Sequence, residues 1–303
     1  MTGAPAARAI LRALPLLLLA ACGSGEDARA VATKGDAGRG KDVFALAGGC
    51  GCHTPDKGPV GAGGVEIKTP FGTFFSSNVT ADQETGIGAW SDLEIARAIR
   101  SGTLRDGSVE APVMPYQEYA GMADDDLRDL IAYLRTLPPA QSRNRPHQVA
   151  LPLPRLAFRA WRILFAGSAR APESAPGDGV ARGQYLADHV GICGDCHTPR
   201  TRFGALDRSM YLAGTPLGPD DAPVPNITTD PETGIGKWSD ADIKKALTDG
   251  LTPTGGHLSP PMPFPFFKNM TADDLDAVVA YVRTIPPIKN KVERTDFQNK
   301  AFP

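Results

Sequence analysis

Two short clusters of cysteine and histidine carry the residues of this 303-residue chain that are best suited to covalent or metal chemistry. The second cluster reads CGDCH over residues 193–197. On a helical turn, side chains three residues apart lie on one side, together with the histidine that follows. One such motif can bond both vinyl groups of a haem and ligate its iron, and CxxCH is the spacing of c-type haem attachment.

Other uses of this cluster are a redox dithiol, a zinc site or a structural disulfide. A zinc site needs further cysteine or histidine nearby, and a thioredoxin-like motif needs a βαβ context. Neither pattern is visible in the sequence. The cluster therefore predicts a haem bonded to Cys193 and Cys196, with His197 as an iron ligand.

The first cluster, CGCH over residues 50–53, has one residue fewer between its cysteines. At about 100° per residue, Cys50 lies about 200° round a helix from Cys52. Cys52 and His53 keep their adjacency. We predict a second haem here, with His53 as iron ligand, bonded through Cys52 alone or through both cysteines if the turn unwinds locally. A zinc or disulfide use of the two cysteines is the alternative.

Each cluster is followed by two methionines at matching positions, so the repeat alone does not choose between them. A thioether opposite an imidazole is an axial pair of cytochromes c. Met114 and Met262 each precede a proline, in loops that can present a sulfur to the iron. Met122 and Met270 each precede a helix start, where an apolar residue usually packs against the first turn. The sequence favours Met114 and Met262 as the axial ligands.

The remaining polar candidates have simpler interpretations. Acidic pairs in two loops suggest calcium, but turn formation explains them better; the pairs are Asp82 with Glu84 and Asp230 with Glu232. Three further histidines, His147, His189 and His257, are predicted to be packed or solvated. His257 precedes Met262 by five residues, so the alternative for this histidine is that it replaces Met262 as the iron ligand.

These residues are positioned by a tandem duplication. Landmarks recur with an offset of 148 residues, as in Trp90 and Trp238 or Pro138 and Pro286. In each copy the sequence predicts a helix, then the Cys/His cluster, a loop, a second helix, the Met-Pro segment and a third helix. Capping signals bracket one helix per copy, namely Ser91 with Glu94 and Gly102, and Ser239 with Gly250. Segments of helical period begin at residues 125 and 273 and stop at Pro-Pro.

We therefore predict an all-α fold of two tandem domains, 36–140 and 178–290, each wrapped round one haem. A connector over 141–177 contains LPRLAFRAWRILF, with arginines on one helical face and aromatic residues on another. Packing across both domains is the favoured interpretation of this helix, and a membrane-surface or partner-docking helix is the alternative. Residues 291–303 form a tail.

The N-terminus predicts export. Arg8 and Arg12 precede an apolar run that ends in Leu-Ala-Ala-Cys at Cys22. This end resembles a bacterial lipobox, which implies removal of residues 1–21, lipid attachment at Cys22, and a linker over 22–35; an ordinary signal peptide is the alternative. The cleaved chain carries 30 basic against 34 acidic residues, since two of the 32 basic residues are lost. Nucleic acid is therefore not an expected partner.

The repeated loop, N-[VI]-T-x-D-x-E-T-G-I-G-x-W-S-D, and the later MPY/MPF and Y-[VL]-R-T-x-P-P segments carry a family resemblance. Over residues 36–290 the chain resembles the multihaem cytochrome c subunits of bacterial membrane-associated dehydrogenases that oxidise alcohols, gluconate or aldehydes. The resemblance implies an electron carrier, not an enzyme, which passes electrons from a periplasmic dehydrogenase to a terminal oxidase or soluble cytochrome. The chain is expected to differ from the alcohol-oxidising type in having two units instead of three, and a lipid anchor in place of a C-terminal membrane helix.

The resemblance also implies details of each haem pocket. Trp90, Trp238, Tyr133 and Tyr281 are expected near the haems, with the Pro55 and Pro199 carbonyls accepting the histidine ring N–H. The alternative function is a dihaem redox enzyme, a peroxidase or thiosulfate-oxidising cytochrome. Such an enzyme needs an open iron position, and a Met-Pro segment in both units counts against it.

Overall fold

The computed structural model describes residues 23–167, 169–218 and 222–293. The predicted leader, Cys22 and most of the predicted C-terminal tail lie outside these residues. In the first unit the helices are α1 (Gly23–Ala30), α2 (Ala37–Leu46), α3 (Asp92–Ser101), α4 (Tyr116–Tyr119) and α5 (Asp124–Leu134). Within the described ranges, no helix is long and apolar enough to cross a bilayer.

The connector and the second unit follow. The connector holds strand β3 (Gln148–Val149), which pairs with strands of the first unit, and α6 (Pro154–Phe165). The helices of the second unit are α7 (Gly179–Tyr185), α8 (Cys193–His197), α9 (Asp240–Asp249), α10 (Phe264–Phe267) and α11 (Ala272–Val282).

In each unit the helix that precedes the Cys/His cluster crosses the last helix of the unit at a glycine. A Cβ on Gly40 of α2 would lie 1.9 Å from the carbonyl oxygen of Asp129 in α5. A Cβ on Gly183 of α7 would lie 1.9 Å from the carbonyl oxygen of Ala277 in α11. Only glycine permits so close a crossing. The Arg-Gly pairs of the sequence therefore mark the helix crossing that frames each unit.

The predicted caps are confirmed. The Ser91 hydroxyl accepts from the Glu94 N–H at 3.2 Å, and the Glu94 carboxylate accepts from the Ser91 N–H at 2.7 Å. Ser239 and Asp242 form the same capping box on α9. Each helix ends at a glycine in the left-handed region, which is typical of a helix C-terminus. The start and the end of α3 and α9 are thus determined by residues adjacent to them in the sequence.

The all-α prediction is only partly right, because the first unit also holds a three-stranded antiparallel sheet. Strands β1 (Glu66–Thr69) and β2 (Gly72–Phe75) form a hairpin, and β3 pairs with β2. Phe74 packs with Val109, Ala111 and Phe158 of α6 in a small separate core. Four-residue strands rich in β-branched and aromatic residues form here because this core covers one face. Sequence periodicity over so few residues did not reveal them.

The expected linker over 22–35 contains a docked helix. Asp27 of α1 is 3% exposed, and Ala30 is fully buried. Arg29 reaches Asp124 at 2.5 Å, and the buried Arg100 reaches the same carboxylate at 2.8 Å. This docking depends on paired charges and has no apolar period, so pattern analysis could not predict it.

The two units share one hydrophobic core. Met122 and Leu127 of the first unit belong to the same buried cluster as Tyr185, Leu186 and Val278 of the second. The Tyr185 hydroxyl accepts from the Ala123 N–H at 3.1 Å and donates to Asp126 at 2.5 Å, again across the boundary. The duplication has therefore produced two halves packed into one body.

Candidate functional site

A single cavity of about 2870 Å³ runs through both units. Pockets for ordinary small molecules occupy about 300–1,000 Å³, so this cavity has room for more than one large group. All eight predicted cofactor-binding residues line it: Cys50, Cys52, His53, Met114, Cys193, Cys196, His197 and Met262. The structure thus brings the predicted haem-binding residues of both units to one cavity.

Both motif histidines are held in the form that can ligate a metal. His53 Nδ1 lies 2.7 Å from the Ser77 carbonyl oxygen, and His197 Nδ1 lies 2.9 Å from that of Pro225. A carbonyl can only accept, so Nδ1 donates and Nε2 keeps its lone pair. Burial lowers the pKa of both rings below the ordinary histidine value, which favours the neutral form. Each imidazole therefore offers an iron ligand at neutral pH.

The expectation that Pro55 and Pro199 accept these ring protons is wrong. The Pro55 carbonyl accepts from the Gly58 N–H at 3.0 Å, and the Pro199 carbonyl accepts from the Asp207 N–H at 2.8 Å. Both carbonyls are used within local turns, and the histidines turn instead to the residue before the repeated Asn-x-Thr loop. No sequence signal marked that contact, because it joins segments more than twenty residues apart.

The repeated loop fixes the carbonyl that holds each histidine. Asn78 donates from Nδ2 to the Ala140 carbonyl at 2.7 Å, and its Oδ1 accepts from the Thr80 N–H at 3.0 Å. Asn226 makes the matching bonds to Ile288 and Thr228 at 2.7 and 2.9 Å. Because each asparagine pins the backbone beside it, the preceding carbonyl has a fixed position. The loop orients the imidazole through this carbonyl.

The acidic pairs of this loop form turns, as predicted. Asp82 accepts from the Thr85 N–H at 2.7 Å, and Asp230 accepts from the Thr233 N–H at 2.7 Å. These bonds lower the pKa of both carboxyls. Among the described residues, no three or more His, Cys, Asp or Glu side chains converge as metal ligands, which also counts against a zinc site at either cluster.

The two cysteine motifs differ in backbone. Residues 193–197 form the regular turn α8, whereas residues 48–53 form short 3₁₀ segments broken by a kink at Gly49 and Cys50, which have φ of 64° and 52°. A left-handed conformation is costly for a residue with a Cβ, by about 1–2 kcal/mol. The missing residue is thus accommodated by unwinding the turn at Cys50, and both Cys50 and Cys52 line the cavity.

The two clusters influence each other electrostatically across the unit boundary. Burial raises the pKa of Cys196 to about 12, and the nearby Asp195 and Cys52 add to the increase. Burial also raises the pKa of Tyr119, with contributions from Cys50 and Cys52 of the first cluster and from Asp195 of the second. Tyr119 of α4 therefore lies near both clusters, a placement that the sequence did not indicate.

The methionines are separated by position. Met114 and Met262 line the cavity, whereas Met270 packs against the shared core, as expected for the residue before a helix. Met122 is fully buried in the core and also contributes to the cavity wall. Position therefore separates Met262 from Met270 in the second unit, whereas both Met114 and Met122 line the cavity of the first.

The aromatic and remaining histidine predictions have mixed outcomes. Trp90, Trp238 and Tyr133 line the cavity, but Tyr281 packs behind Cys193 and donates to Asp188 at 3.1 Å.

Two of the three other histidines have clear packing roles. His147 Nδ1 accepts from the Phe75 N–H at 3.2 Å, and His189 lies between the units. Both also contact neighbouring rings. His257 lines the cavity and stays the competitor of Met262.

Comparison with known proteins agrees with the duplicated architecture. The profile of the family Cytochrome c matches twice, over residues 37–138 and 180–286. A protein named dihaem cytochrome c-type from Cereibacter sphaeroides is 35% identical over 84% of this chain and 88% of its own length.

Subunits of dehydrogenases are similar over a smaller share of their own length. The cytochrome c subunit of a quinone alcohol dehydrogenase from Gluconobacter oxydans is 34% identical over 82% of this chain, and that of a gluconate 2-dehydrogenase from Pantoea cypripedii is 32% identical over 80%. This chain spans 55% and 58% of those two proteins, so about half of their length. Since the family profile covers both units and the relatives cover most of the chain, the chain belongs to the cytochrome c family.

Proposed function

We propose that this chain holds two covalently bound haem c groups and carries electrons from a periplasmic or membrane dehydrogenase to a terminal oxidase or soluble cytochrome. A lipid on Cys22 anchors it on the periplasmic side of a bacterial membrane. The names of the related dehydrogenase subunits support the donor. The export signal supports the compartment, since residues 1–22 have the pattern of a lipoprotein leader.

One observation carries the proposal: each unit brings a neutral histidine and a Met-Pro segment to the same cavity. An iron held by both has no vacant position for peroxide or oxygen. Outer-sphere electron transfer needs no vacant position. The geometry therefore favours a carrier over a peroxidase or thiosulfate-oxidising enzyme.

The residues have distinct tasks. In the second unit Cys193 and Cys196 would form the thioethers, and His197 and Met262 would ligate the iron. In the first unit His53 and Met114 would ligate the iron, and Cys52, with or without Cys50, would form the attachment. The bound haem supplies the one-electron chemistry, whereas the chain orients both imidazoles and excludes water with an apolar wall.

The shared cavity also supports transfer between the units. Cys52 and Cys196 line the same cavity, so electrons need not cross bulk solvent to pass from one half to the other. A dehydrogenase can thus reduce one unit while the acceptor oxidises the other.

Visible spectroscopy of the purified protein tests this function. The reduced protein should show two low-spin haems, take up two electrons per chain, and bind carbon monoxide slowly. It should also consume no hydrogen peroxide at a catalytic rate. Rapid peroxide turnover, or a high-spin haem in the untreated protein, would overturn the carrier and support a dihaem enzyme.

A further inference from the structure

Helix α6 is apolar on two opposite faces. The inner face joins the two units, as the connector prediction requires. Phe158 packs in the small core of the first unit, and Trp161 Nε1 donates to the Phe203 carbonyl of the second unit at 2.8 Å. Phe165 also stacks on Phe203, with ring centroids 5.7 Å apart. These contacts account for one side of the helix only.

The outer face carries a second apolar stripe. Leu156 and Ile163 are 62% and 73% exposed, and Leu153, just before the helix, is 73% exposed. At about 100° per residue, Leu156 lies about 160° from Phe158 and about 20° from Ile163. With a rise of about 1.5 Å per residue, the stripe is about 15 Å long. None of these three residues lines the cavity, so bound haem would not cover them.

Helix α6 carries a net positive charge, whereas the whole chain carries a small net negative charge. Its twelve residues, PRLAFRAWRILF, include three arginines and no acidic residue, whereas the whole chain has a net charge of -2. Arg155 is largely exposed and lies 3.5 Å from Asp106, and Arg159 donates to the Gly107 carbonyl at 3.0 Å. Both arginines lie on the same side of the apolar stripe, about 100° and 60° round the helix from Leu156. An apolar face bordered by arginines is typical of helices that lie in a membrane interface.

The stripe lies near the point where residues 1–22 join the described chain. Arg170 pairs with Glu26 of α1 at 3.1 Å, and Arg29 donates to the Ala171 carbonyl at 3.2 Å. Glu26 lies three residues after Gly23, the first described residue, which is about 4.5 Å of helical rise. The five residues from Phe165 to Arg170 span at most about 18 Å. Glu26, in the first described helix, therefore contacts a residue that lies within about 18 Å of the end of α6.

The composition of the stripe distinguishes a lipid surface from a protein partner. Protein-binding hot spots are enriched in Trp, Tyr and Arg, and leucine is under-represented in them. The outer stripe has only leucine and isoleucine, with arginines along one side. We propose that the outer face of α6 lies in the headgroup region of an anionic bilayer and forms a second membrane contact beside the lipid of the proposed function.

Vesicle binding by the haem-loaded Cys22→Ala chain tests this contact without the lipid. Sedimentation should show binding to phosphatidylglycerol vesicles that weakens with salt, and much weaker binding to phosphatidylcholine vesicles. Leu156→Ser/Ile163→Ser should weaken binding at least tenfold, because two exposed aliphatic side chains no longer enter the bilayer. Arg155→Gln/Arg159→Gln should reduce the preference for the anionic lipid.

Val180→Ser is the matched control, since Val180 is also exposed but lies on α7. Unchanged haem content and spectrum in each variant establish correct folding. Absence of vesicle binding by the Cys22→Ala chain, or equal binding by the Leu156/Ile163 variant, would overturn the proposal. Loss of binding to the dehydrogenase with unchanged vesicle binding would also overturn it and mark a protein-docking face. None of these outcomes alters the low-spin spectrum, so the carrier function is tested separately.

Discussion

His189 of the second unit donates a hydrogen bond from Nδ1 to the carbonyl oxygen of Glu118 in the first unit, at 2.7 Å. The Glu118 side chain is buried at the same boundary, with Oε1 3.4 Å from Arg208 and no partner for Oε2 among the described residues. Burial, with a contribution from Asp195, raises the pKa of Glu118 to about 7. An ionisable carboxyl therefore lies in the seam that joins the two halves.

Glu118 should make stability fall as pH rises. Because its folded pKa lies above the ordinary value of 4.5, its full contribution is present below pH 4.5 and is lost as pH rises to about 7. The loss is at most about 3 kcal/mol. Glu118→Gln should therefore raise the thermal unfolding midpoint relative to wild type at pH 8 and leave it similar at pH 4.5. Unfolding scans across this range measure the effect.

The exposed Glu84 provides the control for that experiment. Glu84→Gln removes the same charge from the surface and should leave the pH dependence as in wild type. If Glu118→Gln and Glu84→Gln give the same profile, the boundary carboxyl is not responsible.

The axial methionines are testable by carbon monoxide. Met262→Ala should let carbon monoxide bind rapidly to half of the reduced haem and leave the other half low-spin. Met270→Ala should not, because Met270 packs against the core. In the first unit, Met114→Ala should open the other haem, while Met122→Ala should lower the unfolding temperature and keep the spectrum. Rapid binding in Met122→Ala instead would reassign the ligand of the first unit.

The shortened cysteine motif gives a comparison between two halves of one chain. Only Cys52 is adjacent to His53, so Cys52→Ala should lose one covalent haem, whereas Cys50→Ala should keep two. An unreacted vinyl group shifts the pyridine haemochrome band to the red, so the wild-type protein should give a composite band. Cys193→Ala, which leaves Cys196 in place, is the reference for a single attachment. Loss of haem in Cys50→Ala would mean that the left-handed turn presents both sulfurs.

Cys22 is the predicted attachment point of the lipid. Cys22→Ala should convert a protein that only detergent extracts from membranes into one that a salt wash removes, because an interfacial helix alone binds reversibly. Fractionation of cells followed by haem staining measures the change. Retention of the variant in salt-washed membranes would contradict lipidation at this residue.

The parts of the site that were predictable are those encoded by local spacing. CxxCH, the Met-Pro segments and the Ser91 and Ser239 caps each need only a few adjacent residues, and the structure places the motif residues in one cavity. The acceptor of each histidine was mispredicted because Ser77 and Pro225 approach only after a long loop has folded.

The missed elements depend on partners that are remote in sequence. The β1–β2 hairpin is completed by β3 and covered by Phe158 of the connector. Helix α1 is held by Asp124 and Arg100, about 75 to 100 residues away in the chain. Neither contact produces a hydrophobic period in the sequence of its own segment. Local sequence patterns therefore cannot predict either element.

A cavity lined by both halves means that neither copy of the duplication is complete without the other. If the chain were cut between residues 140 and 178 and the halves separated, part of the apolar cavity wall would be exposed to water. The contacts between the units around Tyr185 and Met122 would be exposed as well. The repeat therefore no longer consists of interchangeable modules. If one half were replaced by that of a distant relative, the new half would have to fit the cavity wall of the other half as well as its own haem. Substitutions in the two copies are therefore constrained together.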